Sequence, residues 1–261
     1  MVLPLADDNR DRRSTPVVTF ALIAANVFVF VFFQGMGENQ RFTMAFACVP
    51  AEIARGKDLV TPDRIVQVRT PAGIQPIKLP GLKRTPIPVY FTLLTAMFMH
   101  GGLAHLLGNM WFLWIFGDNI EDDLGRIRYL LFYLTCGILA SLAHVAVSLR
   151  GPSAEVPSLG ASGAISGVLG AYLMLHPMRR VTVLMFRMIV DVPGYIAVGL
   201  WFLFQVVNGL GMLGGMATGV AYGAHIGGFL AGVALVWPFR AGYRPPSPRS
   251  QYSTYWDDEA L

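Results

Sequence analysis

The feature that most limits what this chain can fold into is a series of long apolar runs spread along most of its length. Val17–Phe33 is almost entirely apolar. At about 1.5 Å per residue, such a run just crosses a hydrocarbon core of about 30 Å. Five more runs follow, at about Gly102–Phe116, Tyr129–Ser148, Gly160–Leu175, Gly194–Leu213 and Gly215–Trp237. Composition decides whether they are core helices or membrane spans. Only 14% of residues are charged and 54% are hydrophobic, whereas a soluble domain carries about 25% charged residues. The expected fold is therefore an all-α polytopic membrane protein built as a bundle of six transmembrane helices.

The segments between the runs set its organisation. Residues 1–15 are polar, contain Arg10, Arg12 and Arg13, and are expected to be disordered, within an N-terminal cytoplasmic segment 1–16. The first apolar run has no Ala-x-Ala cleavage site after it, which reads as a retained span rather than a cleaved signal. A long first loop, about 35–100, mixes polar and apolar residues, with short interfacial helices expected around Phe42–Val49. Asp118–Asp123 reads as an acidic turn after the second run, and Val181–Val192 as an interfacial apolar stretch. The helical domain spans 17–238, and the Pro-, Ser- and Arg-rich tail 239–261 is expected to be disordered. Six spans put both termini on one side. Arg126, Arg128, Arg179, Arg180 and Arg187 in short segments make that side cytoplasmic. Ser162, at the start of the fourth span, then lies near the external face.

The formal charge of +4 does not indicate nucleic acid, because no dense Lys/Arg run with interleaved aromatics occurs. Cys48 and Cys136 form no CxxC spacing, so neither a disulfide framework nor a metal site is expected. No cofactor is expected either, and no motif assigns an oligomeric state.

The run Gly160-Ala161-Ser162-Gly163-Ala164-Ile165-Ser166-Gly167 opens the fourth span. Gly163 and Gly167, with Gly170, form a small-residue face that lets another helix approach closely. Ser162 beside it has two readings: a hydroxyl bonded back to its own helix, or a nucleophile near a base on a neighbouring helix. The second reading needs partners. His225 stands on a face with Gly228 and Gly232 in the sixth span, and His105 and Asn109, four apart, share a face of the second. All lie toward one side of the membrane, on three like-oriented spans, whereas His144 and His176 have no polar company. Ionisable groups within spans are functional candidates. No Asp or Glu falls inside a span as drawn, so a Ser162–His225 dyad is expected rather than a triad. Desolvation disfavours a charged imidazole, and a neutral one can take the Ser162 proton and return it to a leaving amine. Asn109, His105 and the Ser162 backbone N–H are available as oxyanion donors. Ser166 reads as structural. No HExxH occurs, no span holds two aspartates, and Ala164 breaks the GxSxG elbow.

With these motifs in place, the chain resembles the rhomboid family of intramembrane serine proteases. Gly160-Ala161-Ser162-Gly163 is similar to its GxSG, Ala224-His225-Ile226-Gly227-Gly228 to its AHxxG, and His100 through His105 to Asn109 to its HxxxxHxxxN. The resemblance implies a six-helix rhomboid-like bundle around a water-filled site open to the external face. It implies Ser162 as nucleophile, His225 as base, His105 and Asn109 assisting the oxyanion, and His100 and Gly160 in supporting places. Gly228 and Gly232 would pack span six on span four. Substrates would be single-pass membrane proteins cut near the external end of their span, and Trp201, Phe202 and Phe204 of span five a gate. A bacterial inner-membrane protein of the basic six-helix form is implied. The chain departs from the pattern in its first loop, where Phe91-Thr92 stands in place of Trp-Arg. The alternative is a rhomboid-like protein that holds membrane clients without cutting them. Such members typically lack the serine or the histidine. A transporter with a His105–His225 proton relay would lack the usual membrane carboxylates.

Overall fold

Apolar runs satisfy their backbone hydrogen bonds internally only as helices when no water is at hand, and helices dominate here. The computed structural model describes residues 2–70, 73–149, 152–213 and 220–243. In chain order it contains strand β1 (Val2–Asp7), helix α1 (Val17–Phe28) prolonged by a π turn to Phe33, and the short helices α2 (Gln40–Phe46) and α3 (Pro50–Arg55). The hairpin β2 (Arg64–Thr70) and β3 (Gly73–Leu79) and the short helix α4 (Thr92–Thr95) follow. Then come α5 (Leu103–Leu124), α6 (Arg126–Ser148), α7 (Ser162–Leu175), the hairpin β4 (Arg180–Met185) and β5 (Met188–Pro193), α8 (Gly194–Leu213) and α9 (Tyr222–Arg240).

Six apolar helices thus stand where the six runs lie. By length and composition two of them, α6 and α9, are sufficient to cross a membrane. The pair Val89–Phe98 and Leu103–Leu124, bent by 79°, gives a third if counted as one span. Val17–Phe33, Ser162–Leu175 and Gly194–Leu210 are apolar but shorter.

The centre of the bundle is α7. Every residue from Gly163 to Tyr172 is buried, as expected of a helix with no polar face. Close packing explains why. A Cβ on Gly228 or Gly232 of α9 would fall on the carbonyl oxygen of Gly163 or Gly167, respectively. The α-carbons of Gly163 and Gly167 themselves turn to α6, where a Cβ would lie 2.7 Å from that of Ala140 and 2.5 Å from that of Cys136. The small residues therefore seat α7 against two helices at once, α6 on one side and α9 on the other.

Several expectations are corrected at the far end of α7. The N-terminal residues are not disordered: β1 pairs antiparallel with β4, and β4 with β5, in a three-stranded sheet. Val181–Val192 is therefore a hairpin, with Val181 and Val183 buried. Trp111 donates its indole N–H to the Pro4 carbonyl at 2.7 Å, which lays β1 against α5. Asp118–Asp123 is not a turn but the last two turns of α5. These acids stay helical because they are paired. Glu121 accepts from the N–H groups of Val18 (2.9 Å) and Thr19 (2.8 Å) and from the Thr19 hydroxyl (2.8 Å). Asp122 accepts from the N–H groups of Arg13 (3.0 Å) and Ser14 (2.8 Å). Carboxylates so placed neutralise the positive N-terminal end of α1. Asp118 bonds Arg12, and Asp123 bonds His176 at 2.5 Å, so His176 does have polar company. The left-handed Gly125 (φ 74°) then turns the chain into α6.

Asp7 ends β1 inside this cluster. It accepts from Asn119 Nδ2 (2.6 Å) and the Tyr172 hydroxyl (3.1 Å). Burial, reinforced by the neighbouring Asp118, pushes its carboxyl up from 3.8 to about 7. Arg179 reaches Asn119 and, at 2.6 Å, Asp11. Arg128 donates to the carbonyls of Phe239 and Ala241, so the end of α9 lies at this same end of the bundle. There α9 runs through Pro238 to Arg240, rather than stopping at Trp237. The beginning of the sixth expected span, Gly215 to Gly219, and the tail from Arg244 onward lie outside the described residues, as does Arg150.

Candidate active site

At the opposite end of α7, Ser162 is the first helical residue, and no side chain caps that terminus. The N–H groups of a helix's first turn have no intrahelical acceptor and carry the positive end of its dipole. Across the tight α7–α9 contact stands His225, in the first turn of α9. Its Nε2 lies 2.8 Å from Ser162 Oγ. The glycines are what allow this distance, since a side chain at Gly228 would meet the Gly163 backbone and push the two helices apart.

His105 and Asn109 are one turn apart near the start of α5, and both reach the approach to Ser162. Gly160, two residues before the serine, has φ 129°, and a Cβ there would lie 3.0 Å from the His105 ring and 3.6 Å from Asn109 Nδ2. Glycine is thus required twice, by its backbone angle and by these neighbours. His105 Nδ1 accepts from the Gly101 N–H at 3.4 Å, leaving the ring proton on Nε2, the nitrogen that faces Gly160. Asn109 is buried, and its Nδ2 has no hydrogen-bond partner among the described residues. His100 is fully buried with its ring 5.2 Å from that of His105, edge to face. Ser166 donates back to the Ser162 carbonyl at 2.6 Å, the self-bonding geometry expected of a structural serine.

The structure therefore brings together Ser162, His225, His105, Asn109 and Gly160, with His100 behind them. It also adds two residues that sequence reasoning missed. Gln205 of α8 places Oε1 2.8 Å from His225 Nδ1. Gln34, at the end of the α1 π turn, accepts from the His100 N–H (2.8 Å) and donates to its carbonyl (2.9 Å), which clips the end of α1 to the residues just before α5. A buried amide within an apolar run was the signal available for both. His144, expected to stand alone, has the Ser148 hydroxyl of the same helix within 3.5 Å, and its ring lies beside Gly223, two residues before His225. Trp201 of α8 lies 6.1 Å from the His225 ring, and Phe202 stacks on Phe229 at 4.0 Å, while Phe204 faces outward.

Chemically, a serine hydroxyl hydrogen-bonded to an imidazole nitrogen is a nucleophile with its base in place. The unspent donors beside it suit a developing negative charge. No Asp or Glu among the described residues hydrogen-bonds His225, and no cluster of metal-ligating side chains occurs among them.

Fold and site together define a helical membrane protein with a serine–histidine pair set between two of its helices. The rhomboid domain family matches residues 88–242, more than half of the sequence, and the chain belongs to the rhomboid family. It is similar to the Rhomboid protease GluP of Bacillus subtilis (strain 168), with 38% identity over 57% of this chain and 27% of that protein. Rhomboid protein 1, mitochondrial, of Saccharomyces cerevisiae is 32% identical over 60% of this chain and 44% of its own length. The human Presenilin-associated rhomboid-like protein, mitochondrial, is 31% identical over 61% and 43%. The chain thus spans less than half the length of each of these relatives.

Proposed function

We propose that this protein is an intramembrane serine endopeptidase that cuts transmembrane segments of single-pass membrane proteins near the external face. The observation that carries the reading is the 2.8 Å contact between Ser162 Oγ and His225 Nε2, made across two helices of a rhomboid-family chain. The protease named among the relatives agrees with it.

In this reading Ser162 Oγ attacks the scissile carbonyl carbon while its proton passes to His225 Nε2. The carbonyl oxygen becomes an oxyanion, met by Asn109 Nδ2–H, His105 Nε2–H and the Ser162 backbone N–H. Collapse of this intermediate breaks the C–N bond, and His225 gives its proton to the departing amine. An acyl ester on Ser162 remains. Water, deprotonated by His225, attacks it, and the proton returns to Ser162.

The six helices act as six spans of a domain over 17–238, with both termini cytoplasmic, in a bacterial inner membrane. The helix α7 has 14 residues. At about 1.5 Å each it rises about 21 Å, less than the roughly 30 Å hydrocarbon core, so it sets the serine below the external surface.

Cleavage of a fluorogenic transmembrane peptide by the protein in proteoliposomes tests this. Ser162→Ala and His225→Ala are expected to abolish turnover while still inserting; full activity in Ser162→Ala would end the assignment. A fluorophosphonate probe separates the protease from a client-binding rhomboid-like protein, which would show no labelling dependent on Ser162.

A further inference from the structure

Gln205 belongs to a helix where polar side chains are few, and its environment differs from that of its nearest polar neighbour. Asn208, three residues on, is half-buried and donates its amide back to the Phe204 carbonyl of the same helix at 2.7 Å. That is the ordinary fate of a lone amide in an apolar helix. Gln205 is 6% exposed and reaches across to α9 instead, with Oε1 2.8 Å from His225 Nδ1. Both nitrogens of His225 are thereby engaged, Nδ1 with Gln205 and Nε2 with Ser162. The rings of Trp201 and Tyr222 flank the imidazole at 6.1 Å each.

An amide carbonyl oxygen can only accept a hydrogen bond. The bond to Gln205 Oε1 is made when Nδ1 carries the ring proton. In a neutral imidazole this leaves the lone pair on Nε2, aimed at the Ser162 hydroxyl. The other tautomer would present an N–H to Ser162 and could not remove its proton. An aspartate does this work in a Ser-His-Asp triad, where the wrong tautomer costs about 10⁴-fold in rate. A neutral amide can select the tautomer and orient the ring without placing a full charge in the low-dielectric interior, where an unpaired carboxylate is costly.

We propose that Gln205 is a positioning residue that holds His225 in its Nδ1–H tautomer and turns Nε2 toward Ser162. The proposal rests on the dyad reading above and gives it a third, uncharged member on a third helix. Gln205→Leu removes the acceptor and keeps an apolar side chain of comparable bulk. Gln205→Glu restores an acceptor-only oxygen in the same place.

The test is made on full-length protein in proteoliposomes, in two parts. In the first, turnover of the fluorogenic transmembrane peptide is expected to fall about 10- to 100-fold in kcat in Gln205→Leu, with KM within about twofold and an unchanged melting midpoint; Gln205→Glu recovers most of kcat. In the second, ¹⁵N-histidine-labelled protein is examined by NMR, with His225 assigned by the signals lost in His225→Ala. His225 is expected as the Nδ1–H tautomer in the wild type and in Gln205→Glu, and shifted toward Nε2–H in Gln205→Leu. An unchanged tautomer in Gln205→Leu overturns the proposal, as does a loss of activity that Gln205→Glu fails to recover. Wild-type turnover by Ser162→Ala instead removes the protease reading, and the tautomer measurement still decides the role of Gln205.

Discussion

The two ends of α7 are built from opposite chemistries. At its C-terminal end, Asp118, Glu121, Asp122 and Asp123 meet Arg12, the first N–H groups of α1 and His176. At its N-terminal end the polar groups are a serine, three histidines, an asparagine and two glutamines, and among the described residues no carboxylate or guanidinium bonds to the dyad. The charged end spends its hydrogen-bonding capacity on joining elements far apart in sequence. The neutral end keeps donor capacity free: Asn109 Nδ2 and both ring nitrogens of His100 have no partner among the described residues, whereas at the charged end the atoms left so include the acceptors Asp7 Oδ1 and Asn9 Oδ1. Polar groups bonded from one element to another rigidify, whereas preorganised but unspent donors are what a transition state can use. The difference separates an end that holds the bundle from an end that carries the proposed chemistry.

Substitutions that break this division should show it, and the largest effect belongs to the neutral end. Ser162→Ala or His225→Ala should lower cleavage of a transmembrane peptide at least about 1000-fold, with little change in melting midpoint. Asn109→Ala should cost about 100-fold in kcat, the usual consequence of losing one oxyanion donor, and again leave stability nearly intact. At the charged end the pattern should invert. Glu121→Ala strands the buried N–H groups of Val18 and Thr19 and should cost about 2–3 kcal/mol of stability. It would be read as a lowered melting midpoint, with kcat near wild type for the fraction still folded.

Asp7 sharpens the contrast through pH. Its carboxyl titrates near 3.8 in an unfolded chain and at about 7 when folded. Between those values the folded protein holds a proton that the unfolded chain has released, so its contribution to stability declines as pH rises from about 4 to about 7. Below that window both states are protonated and above it neither is. Asp7→Asn keeps an acceptor for Asn119 and Tyr172 and removes the titration. The melting midpoint of the variant should gain on the wild type across that window, and parallel curves would refute the assignment. The smallest effect is expected from Ser166→Ala. Its hydroxyl only bonds the Ser162 carbonyl, and turnover should stay within about twofold.

The same division governs what was legible beforehand. The apolar runs give the long helices because spanning helices make their hydrogen bonds locally. Ser162, His225, His105 and Asn109 stand out because each sits at helical spacing from other small or polar residues. Gln205 was passed over because its partner is on another helix, and an amide within an apolar run does not by itself say what it faces. The acids of α5 read as a turn because charge usually ends a span. Here it continues, since those carboxylates meet backbone donors from residues 13–19. The β4–β5 hairpin escaped notice for a local reason. Its turn residues Phe186 and Arg187 have φ of 50° and 70°, angles that Asn-Gly ordinarily announces.

Strand β1 carries a consequence for how the molecule is made. Among the described residues Val2–Asp7 pairs with Val181–Met185, so this strand stays unmatched after its own synthesis until a hairpin far along the chain exists. At about 5–20 residues per second of elongation, that delay is roughly 10–35 seconds. Throughout it a short apolar strand with open edges must be kept from other chains. Closure of β1 on the hairpin is thus a late event in biogenesis. A proline in place of Val183, which faces Pro4 in the sheet, would obstruct this step while leaving the insertion of the helices untouched.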